Sequence, residues 1–361
     1  MLKKKKIIAL MPNMKGGGAQ RVMGIILKNA SVSGYNVELL LADENAPIEY
    51  KLDDKIVIKY IPGQKGNKIL RRIRLVLFLY RYTRRNKDAV FLSFLTERNL
   101  DLLLAAPRDV RVVVSERNDP ARSIKNTKFW HNLRNRLYSK AWKVVFQTPD
   151  AMKYFDSVKG IDGIVISNPL SDGLPYYNKD NQSKVIISVA RLSSQKNYPM
   201  LMDAFEMVYS KYSDYELHIW GKEYGEKGIT DYLEGYAKRL HCGNAIKFKG
   251  FSSNVHPHVA NAEMFVSSSD YEGMSNSMLE ALSIGIPCVC TDCPIGGAKM
   301  FIINGQNGLL VPVGDTKAMA EALCRMIEDK DLRNRCYTNA DKIRRDLDEK
   351  KVFSQWRKLF E

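Results

Sequence analysis

Two glutamates eight positions apart, Glu272 and Glu280, are the side chains of this sequence best suited to hold a polyol. They span the point where a short apolar run gives way to a helical pattern. A carboxylate can accept two hydrogen bonds from a vicinal diol, such as that of a ribose or a hexose. The residues between them that we expect to contact the same ligand are Gly273, Met274, Ser275 and Asn276.

The helix start in this segment offers a second kind of contact. Gly273 allows a tight turn, and the backbone N–H groups at a helix N-terminus can hold a phosphate. Each glutamate also has an alternative that involves no ligand. Glu280 can form a capping box with Ser277, and Glu272 can be a solvated loop acid. In open parallel sheets, ligands bind at the carboxyl ends of the strands, which favours a binding site here.

A pair of cations, Arg191 and Lys196, flanks a short polar loop directly after the apolar run 185–189. Two fixed cations at the carboxyl end of a strand suit a diphosphate, because a diphosphate gains negative charge as its bond to a sugar breaks. As isolated surface charges they would carry no function.

Three consecutive glycines lie in the segment 15–21, between the first apolar run and the first helical pattern. Glycine lets backbone amides come close to a ligand at a helix N-terminus. The spacing is not G-x-G-x-x-G, so the fingerprint of a dinucleotide site is absent. A plain flexible turn is the alternative.

These candidates follow apolar runs that predict β-strands. In the first half the runs are 7–11, 37–41, 90–93, 110–115, 144–147 and 164–167, and in the second half they are 185–189, 216–220, 245–248, 264–267, 288–291 and 309–311. Helical patterns separate the runs, an alternation typical of parallel sheets covered by helices. We therefore predict an α/β protein with two Rossmann-like domains.

The domain limits follow from a polar stretch rich in turn residues at 168–183. We predict an N-terminal domain over 1–170, a linker over 171–183 and a second domain over 184–348. The last segment, 349–361, places four apolar residues on one helical stripe, which must dock on an apolar surface. They are Val352, Phe353, Trp356 and Phe360.

The basic charge of this chain is confined to its first half. The net charge is +16, and residues 1–180 carry 33 Lys and Arg against 17 Asp and Glu, whereas residues 181–361 carry 23 of each. The first half is therefore expected to face an anionic partner, either nucleic acid or an acidic lipid surface, unless the lysines are merely solvated. Six cysteines without regular spacing do not form a disulfide framework, which favours a cytoplasmic location.

Residues 68–87 mix basic and apolar side chains and are not long or apolar enough to span a bilayer. As a helix, this segment can lay its apolar side chains into a membrane interface while its arginines meet lipid phosphates. The alternative is a core helix with a solvated basic face. We expect a protein that binds peripherally to the inner face of the cell membrane.

Together these motifs resemble the family-four retaining glycosyltransferases, which have the two-domain fold called GT-B with a deep cleft between the domains. The resemblance covers essentially the whole chain. The motifs that carry it are Gly17-Gly18-Ala19, Arg191 with Lys196, Glu272-x7-Glu280, and the segment NGQNGLLV at 304–311.

The resemblance implies roles for the residues of the second domain. Arg191 and Lys196 would bind the diphosphate of a nucleotide-sugar donor, Glu272 would bind the sugar hydroxyls, and Glu280 would bind the ribose. Gly221 would contact the base. Phe251, at the next strand end, matches a second position that usually contacts the base.

In the first domain, the resemblance places Gly17 and Gly18 over the donor phosphates, and it sends the last helix back onto this domain. Members often carry a histidine after a first-domain strand, and Arg117 occupies that place here. Glu116 or Asp119 can orient the acceptor hydroxyl while Arg117 neutralises phosphate; a salt-bridged loop is equally compatible with the residues. The candidates for catalysis are therefore Glu272, Glu116 and Asp119.

We expect no metal and no other cofactor. The pairs Asp329/Asp331 and Asp346/Asp348 match the Asp-x-Asp of another glycosyltransferase fold, but they lie in polar helical sequence away from glycine-rich loops. A zinc set would need Cys290 and Cys293 together with His256 and His258, and it lacks a second cysteine pair.

The expected activity is transfer of a hexose or N-acetylhexosamine from a nucleotide sugar, with uridine as the expected base, to a polyprenyl-diphosphate-linked or other glycan acceptor. The alternatives are a nucleic-acid-binding protein, which leaves the glutamate pair unexplained, and an epimerase or a phosphorylase on the same fold. An epimerase would act on the donor without an acceptor, and a phosphorylase would need phosphate.

Overall fold

The computed structural model describes residues 5–43, 47–63, 66–125, 127–180 and 183–361. The chain forms two compact units: the first runs to Pro169 and also includes Leu347–Glu361, and the second is Leu170–Asp346. The predicted linker therefore lies at the start of the second unit, and its residues 181 and 182 are outside the described ranges.

The first unit is built on a parallel sheet of seven strands in the order β3-β2-β1-β4-β5-β6-β7. The strands are β1 Lys6–Met11, β2 Asn36–Leu41, β3 Val57–Tyr60, β4 Val90–Phe94, β5 Arg111–Glu116, β6 Lys143–Phe146 and β7 Gly163–Val165. The helices are α1 Gly18–Val32, α2 Lys68–Arg85, α3 Thr96–Ala105, α4 Lys128–Tyr138 and α5 Pro149–Lys153. The central strands read as continuous apolar runs because helices cover both faces of the sheet.

One strand of this sheet was missed by the sequence pattern. All four residues of β3 are exposed at the edge of the sheet, so the strand needs no run of buried apolar side chains. The other six strands of the first unit match the six predicted runs, with ends shifted by one or two residues.

The second unit contains a parallel sheet of six strands in the order β10-β9-β8-β11-β12-β13. The strands are β8 Val185–Val189, β9 Glu216–Trp220, β10 Ile246–Gly250, β11 Met264–Ser267, β12 Cys288–Thr291 and β13 Leu309–Val311. The helices are α6 Tyr198–Tyr209, α7 Ile229–Ala237, α8 His256–Ala260, α9 Asn276–Ile284, α10 Ala298–Phe301, α11 Thr316–Glu328, α12 Lys330–Thr338 and α13 Ala340–Asp346. All six predicted strands are present.

In both sheets the strand order reverses beside the first strand of the unit. The chain goes from β8 outward to β9 and β10, then crosses back and continues from β11 on the other side. The same reversal separates β1 from β4 in the first unit. Loops leave such a switch point in opposite directions, which opens a crevice at the carboxyl ends of the two strands.

The last helix, α14 Glu349–Arg357, packs against α1 and completes the core of the first unit. The predicted apolar stripe is buried: Val352, Phe353 and Trp356 on the helix, and Phe360 just beyond its end, are at most 6% exposed. The ring of Trp356 lies 5.6 Å from that of Phe94 at the carboxyl end of β4, measured between ring centroids. A chain segment more than 250 residues away from β4 thus supports the edge of the sheet where ligands bind.

Helix α2 packs against α3 through a narrow buried face and turns a second apolar stripe outward. Leu75, Leu79 and Thr83 are buried. The exposed apolar residues, spaced mostly three or four apart, are Ile69, Leu70, Ile73, Leu77 and Tyr80. Neither this helix nor any other within the described ranges is long and apolar enough to cross a bilayer.

Replacing Trp356 by alanine should lower the free energy of unfolding by about 3–5 kcal/mol, because a large, fully buried side chain is lost from the core. Denaturant titration followed by circular dichroism measures this change. Lys358→Ala, an exposed position just beyond the same helix, is the control and should change stability by less than about 0.5 kcal/mol. A Trp356 variant as stable as this control would contradict the proposed docking of α14.

Candidate functional site

Two loops of the second unit are tied together at the switch point between β8 and β11. The Oγ of Ser268 donates to the carbonyl of Lys196 at 2.7 Å, and the side-chain amide of Asn197 donates to Asp270 Oδ1 at 2.7 Å. Gln195 donates from Nε2 to the carbonyl of Tyr271 at 2.7 Å. The Asp270 amide in turn donates to the Gln195 carbonyl at 2.9 Å. Because each loop both donates to and accepts from the other, the two loops have little freedom to move independently.

This arrangement brings Lys196 and Glu272 into direct contact. The Lys196 ammonium forms an ion pair with Glu272 Oε1, and both side chains are largely buried, at 11% and 16% exposed. Ser269 Oγ also donates to the same carboxylate oxygen at 2.9 Å. The residues predicted to hold the diphosphate and the sugar therefore lie side by side.

Arg191 differs from Lys196 because no carboxylate within the described ranges pairs with it. Its side chain is exposed, and its guanidinium carbon lies 5.9 Å from the centroid of the Tyr224 ring. Tyr224 belongs to the loop after β9, and sequence reasoning missed it because a lone loop aromatic carries no signal. An exposed guanidinium without a carboxylate partner in the described ranges, on the same loop as Lys196, can attract a phosphate group.

Glu280 lies inside α9 and does not form the capping box considered from the sequence. The N-cap of α9 is Ser275, whose Oγ accepts from the Met278 amide at 3.4 Å. Glu280 is 6% exposed; its Oε1 accepts from Ser171 Oγ at 3.2 Å, and its Oε2 lies 3.3 Å from His256 Nε2. Ser171 and His256 were missed because their positions 109 and 24 residues away form no local pattern.

The residues between the two glutamates have different surroundings. The carbonyl of Gly273 accepts from the Gly297 amide at 2.7 Å, and a Cβ added at Gly297 would lie 3.0 Å from Met274 Cγ. Gly273 and Met274 are therefore buried against the loop after β12, whereas Ser275 and Asn276 are half-buried at the helix start. Only the latter two present polar side chains there.

Gly221 and Phe251 follow β9 and β10, the next two strands of the sheet. The Gly221 amide donates to the Gly250 carbonyl at 2.8 Å, and a Cβ at Gly221 would lie only 1.8 Å from the carbonyl oxygen of Ala190. Phe251 is 57% exposed, with the Lys222 ammonium 4.5 Å from its ring centroid. The predicted donor residues thus follow the carboxyl ends of four adjacent strands.

The glycine loop of the first unit is held by residues that sequence reasoning missed. The Gly16 amide donates to Glu49 Oε2 at 2.6 Å, and the Gly17 amide donates to the Tyr50 hydroxyl at 2.7 Å. The same hydroxyl donates back to the Gly17 carbonyl at 2.9 Å. Gly17 is the N-cap of α1 and Gly18 its exposed first residue. These bonds anchor the loop, in contrast to the freely flexible turn considered above.

Glu116 and Asp119 serve the architecture of the loop after β5. Glu116 is 1% exposed, and its two oxygens accept from Thr96 Oγ1 at 2.7 Å and from the Tyr138 hydroxyl at 2.8 Å. Asp119 Oδ1 accepts from the Ala121 amide at 2.8 Å. These contacts favour positioning roles over direct contact between Glu116 and an acceptor, and catalysis by either residue stays a prediction.

The hydrogen-bond partners of Arg117 within the described ranges are neutral. Its Nη2 donates to Asn168 Oδ1 at 2.5 Å, and its guanidinium carbon lies 4.5 Å from the centroid of the Phe94 ring. Desolvation by the surrounding protein lowers the pKa of Arg117 to about 9, so it remains protonated at neutral pH. The salt-bridged loop considered from the sequence is not formed by Arg117 within the described part of the chain.

The metal alternatives find no support in the described ranges. No group of three or more His, Cys, Asp or Glu side chains there is arranged to hold a metal ion. Asp329 and Asp348 are the N-caps of α12 and α14. His258 stacks on Trp220 at 4.5 Å between ring centroids, and burial raises the pKa of the Cys290 thiol. Metal independence itself stays a prediction.

Solved structures share the fold over nearly the whole chain. Sucrose-phosphate synthase from Thermosynechococcus elongatus gives a TM-score of 0.84 at 16% identity and covers 99% of this chain and 98% of its own. The Anabaena protein HepE in complex with UDP and glucose gives a TM-score of 0.83 at 18% identity, with 98% of each chain covered. The protein therefore has the fold of the GT-B glycosyltransferases.

The sequence comparisons identify the enzyme class. Residues 175–343 match the family Glycosyl transferases group 1. A Campylobacter jejuni relative, N-acetylgalactosamine-N,N'-diacetylbacillosaminyl-diphospho-undecaprenol 4-alpha-N-acetylgalactosaminyltransferase, is 28% identical over 357 residues, with 92% of each chain covered. This chain is a transferase enzyme that carries a glycosyl transferases group 1 domain. The resemblance to GT-B glycosyltransferases is confirmed, while membership of family four stays a prediction.

Replacing Gly221 by alanine should destabilise the second unit by about 1–3 kcal/mol, because the new methyl group would overlap the Ala190 carbonyl and force the strand ends apart. Chemical denaturation measures the effect. Gly235→Ala is the matched control: it lies in α7 with open space around its Cβ and should gain up to about 1 kcal/mol in helix stability. Equal stability of the two variants would refute the close approach at Gly221.

Proposed function

We propose that this glycosyltransferase transfers a hexose or an N-acetylhexosamine from a UDP-sugar to a lipid-linked glycan, with retention of the anomeric configuration. The observation that carries the proposal is the locked pair of loops after β8 and β11, which places Lys196 against Glu272. Arg191 lies on the first of these loops without a carboxylate partner in the described ranges.

The donor diphosphate is assigned to the two cations of this loop. Arg191 has an exposed guanidinium that can bind two phosphate oxygens at once, and Lys196 can leave Glu272 for a phosphate or bridge the two. Glu272 would then accept hydrogen bonds from the sugar hydroxyls. This use of protein cations in place of a metal ion explains why we expect no metal cofactor.

The nucleoside end of the donor is assigned to Glu280, on α9 after β11, and to Phe251, directly after β10. Glu280 would exchange its contact with Ser171 or His256 for the ribose diol, and the exposed Phe251 ring would offer a surface to the base. Support for uridine comes from HepE, which binds UDP in its solved complex and shares the fold at 18% identity.

Retention follows from the resemblance to family-four enzymes and has a simple chemical form. The bond between the anomeric carbon and the departing phosphate oxygen breaks while the acceptor oxygen approaches on the same face. The acceptor proton moves to the departing diphosphate, so no protein base is required. Arg191 and Lys196 would stabilise the charge that grows on that diphosphate.

The acceptor assignment rests on the first half of the chain and on a relative. The Campylobacter jejuni enzyme is named for an undecaprenol diphosphate acceptor. In this chain the entire excess of basic residues lies in the first 180 residues, as expected for a unit that meets a lipid-linked diphosphate.

Membrane contact is assigned to α2. Its outward stripe of apolar residues, with Ile69 71% exposed, is bordered by exposed arginines such as Arg71, Arg81 and Arg85. This combination suits a helix that lies in the plane of an anionic interface. A peripheral position on the inner face of the membrane would bring the enzyme to its lipid-linked acceptor.

Incubation with a panel of nucleotide sugars and a membrane lipid extract should release nucleotide diphosphate only when a UDP-sugar and the lipid fraction are both present. Arg191→Ala should lower kcat/KM by roughly 10- to 100-fold, the value of a lost charged hydrogen bond. Arg345→Ala, an exposed cation on α13, is the control and should retain full activity. Donor consumption without lipid would indicate an epimerase or a hydrolase and would contradict the proposal.

Anionic vesicles of phosphatidylglycerol and phosphatidylcholine should sediment the protein at low salt. Replacing Arg71, Arg81 and Arg85 together by serine should weaken partitioning by on the order of 100-fold, since each cation near an anionic surface contributes about 1 kcal/mol. These three side chains are exposed and form no ion pair within the described ranges, so their loss should leave the fold intact.

The control for the vesicle experiment removes the same number of charges from the second unit. Lys317, Lys342 and Arg345 are exposed on α11 and α13. Their triple serine variant should bind vesicles as well as the wild type does. An equal loss of vesicle binding in both triple variants would mean that net charge, and not the α2 surface, governs binding to the membrane.

A further inference from the structure

Arg117 is a desolvated cation whose charge no acidic side chain of the described residues balances. Its Nη2 donates to Asn168 Oδ1, and its Nη1 lies 3.5 Å from Ser115 Oγ, at the limit of a hydrogen bond. Its Nε is enclosed by protein and has no hydrogen-bond partner among the described residues. Both side-chain partners are neutral, so the positive charge is left for something else to neutralise.

Other cations of the first unit form ion pairs with buried carboxylates. Arg72 and Arg98 lie 2.8 and 2.9 Å from the oxygens of the buried Asp101. Lys6 and Lys59 lie 2.9 and 3.1 Å from Glu38. An unbalanced charge taken out of water costs several kcal/mol. An arginine left in that state at a strand end therefore requires an explanation.

Arg134, on α4 beside the same loop, also has neutral hydrogen-bond partners among the described residues, but its role is structural. It is fully enclosed, donates to the Pro120 carbonyl and stacks over the Phe155 ring at 4.7 Å. These contacts hold the loop after β5 in place. Arg117 instead is only half-buried, and its contacts to Asn168 and Ser115 bind no backbone carbonyl of the loop, so it remains accessible to a ligand.

The guanidinium of Arg117 is held in a defined orientation. The Phe94 ring supports one face, and Asn168 Oδ1 accepts from both Arg117 and Gln147 Nε2, the latter at 2.8 Å. These residues belong to the carboxyl ends of β4, β5, β6 and the segment after β7, the edge at which open parallel sheets bind ligands. A guanidinium fixed in this way matches two oxygens of a phosphate.

We propose that Arg117 binds a phosphate oxygen of a substrate, with Asn168 and Phe94 as the residues that position its guanidinium. The inference rests on the proposed function, in which both the donor and the lipid-linked acceptor carry a diphosphate. The donor and the acceptor both contain a phosphate group, and titration with one diphosphate of each kind distinguishes which of them Arg117 binds.

Isothermal titration of the full chain with UDP and, separately, with geranyl diphosphate tests this assignment. Arg117→Gln should weaken one of these two affinities by roughly 10- to 100-fold, the value of a charged hydrogen bond. Its melting temperature without ligand should equal or exceed that of the wild type, because a desolvated charge has been removed. An arginine that served only the fold would give the opposite result, a lower melting temperature with unchanged affinities.

Asn168→Asp is the second variant and keeps the size of the side chain. It places a carboxylate 2.5 Å from the guanidinium and so supplies the missing counter-charge. We expect the same weakened affinity without loss of stability. Arg191→Gln, in the second unit, is the comparison variant and should weaken the affinity for UDP but not that for geranyl diphosphate.

The outcomes assign the phosphate or reject the site. A weaker affinity for geranyl diphosphate alone places the acceptor phosphate at Arg117. A weaker affinity for UDP alone places the donor phosphate there. Unchanged affinities in both Arg117→Gln and Asn168→Asp overturn this inference, while transfer in the nucleotide-sugar panel would still support the proposed function. A wild type that binds neither diphosphate would overturn the inference, and absence of transfer in the panel would overturn the function.

Discussion

The hydrogen bonds that join the loop after β8 to the loop after β11 are the constraint on which the second unit depends for its chemistry. They run from side chain to backbone and from side chain to side chain, so neither loop can shift without breaking several of them. Their effect is to bring Lys196 and Glu272, 76 residues apart, into one ion pair. The switch point of the sheet supplies the crevice, and the loop contacts decide which side chains occupy it.

In the first unit, buried polar groups, and not contacts between two loops, hold the loop at the carboxyl end of a strand. Its loop after β5 is held from within by buried polar groups: Glu116 accepts from two hydroxyls, and Arg134 donates to a loop carbonyl. Such a network is costly unless every group is satisfied, and here most of them are. Within the described residues, Arg117 and Arg134 both have neutral hydrogen-bond partners, but Arg134 is fully enclosed whereas Arg117 is only half-buried at the end of β5. That contrast around the loop after β5 separates an arginine that holds the structure from one that is available to a ligand.

Much of the fold follows from local pattern. Twelve apolar runs predicted twelve of the strands, because a strand covered on both faces must be apolar along its whole length. The strand β3 was not predicted because it lies exposed at an edge of the sheet, where burial imposes no apolar pattern on the sequence. The stripe of α14 predicted that this helix docks, and Trp356 beside Phe94 shows where it docks within the first unit. The outward stripe of α2 shows the limit of such patterns, because an apolar stripe in a sequence does not say whether it faces the core or the solvent.

The sequence by itself determined the chemical types available to this protein: paired glutamates, two cations after a strand, a glycine loop and a basic first half. Local spacing is enough for this, since strand ends and helix starts are set by residues close in the chain. Tertiary structure alone decided which of these groups meet. It assigned Ser171 and His256 to Glu280, Glu49 and Tyr50 to the glycine loop, and Asn168 to Arg117. These partners lie between 24 and 109 residues apart, and only the folding of parallel strands into one sheet brings their ends together.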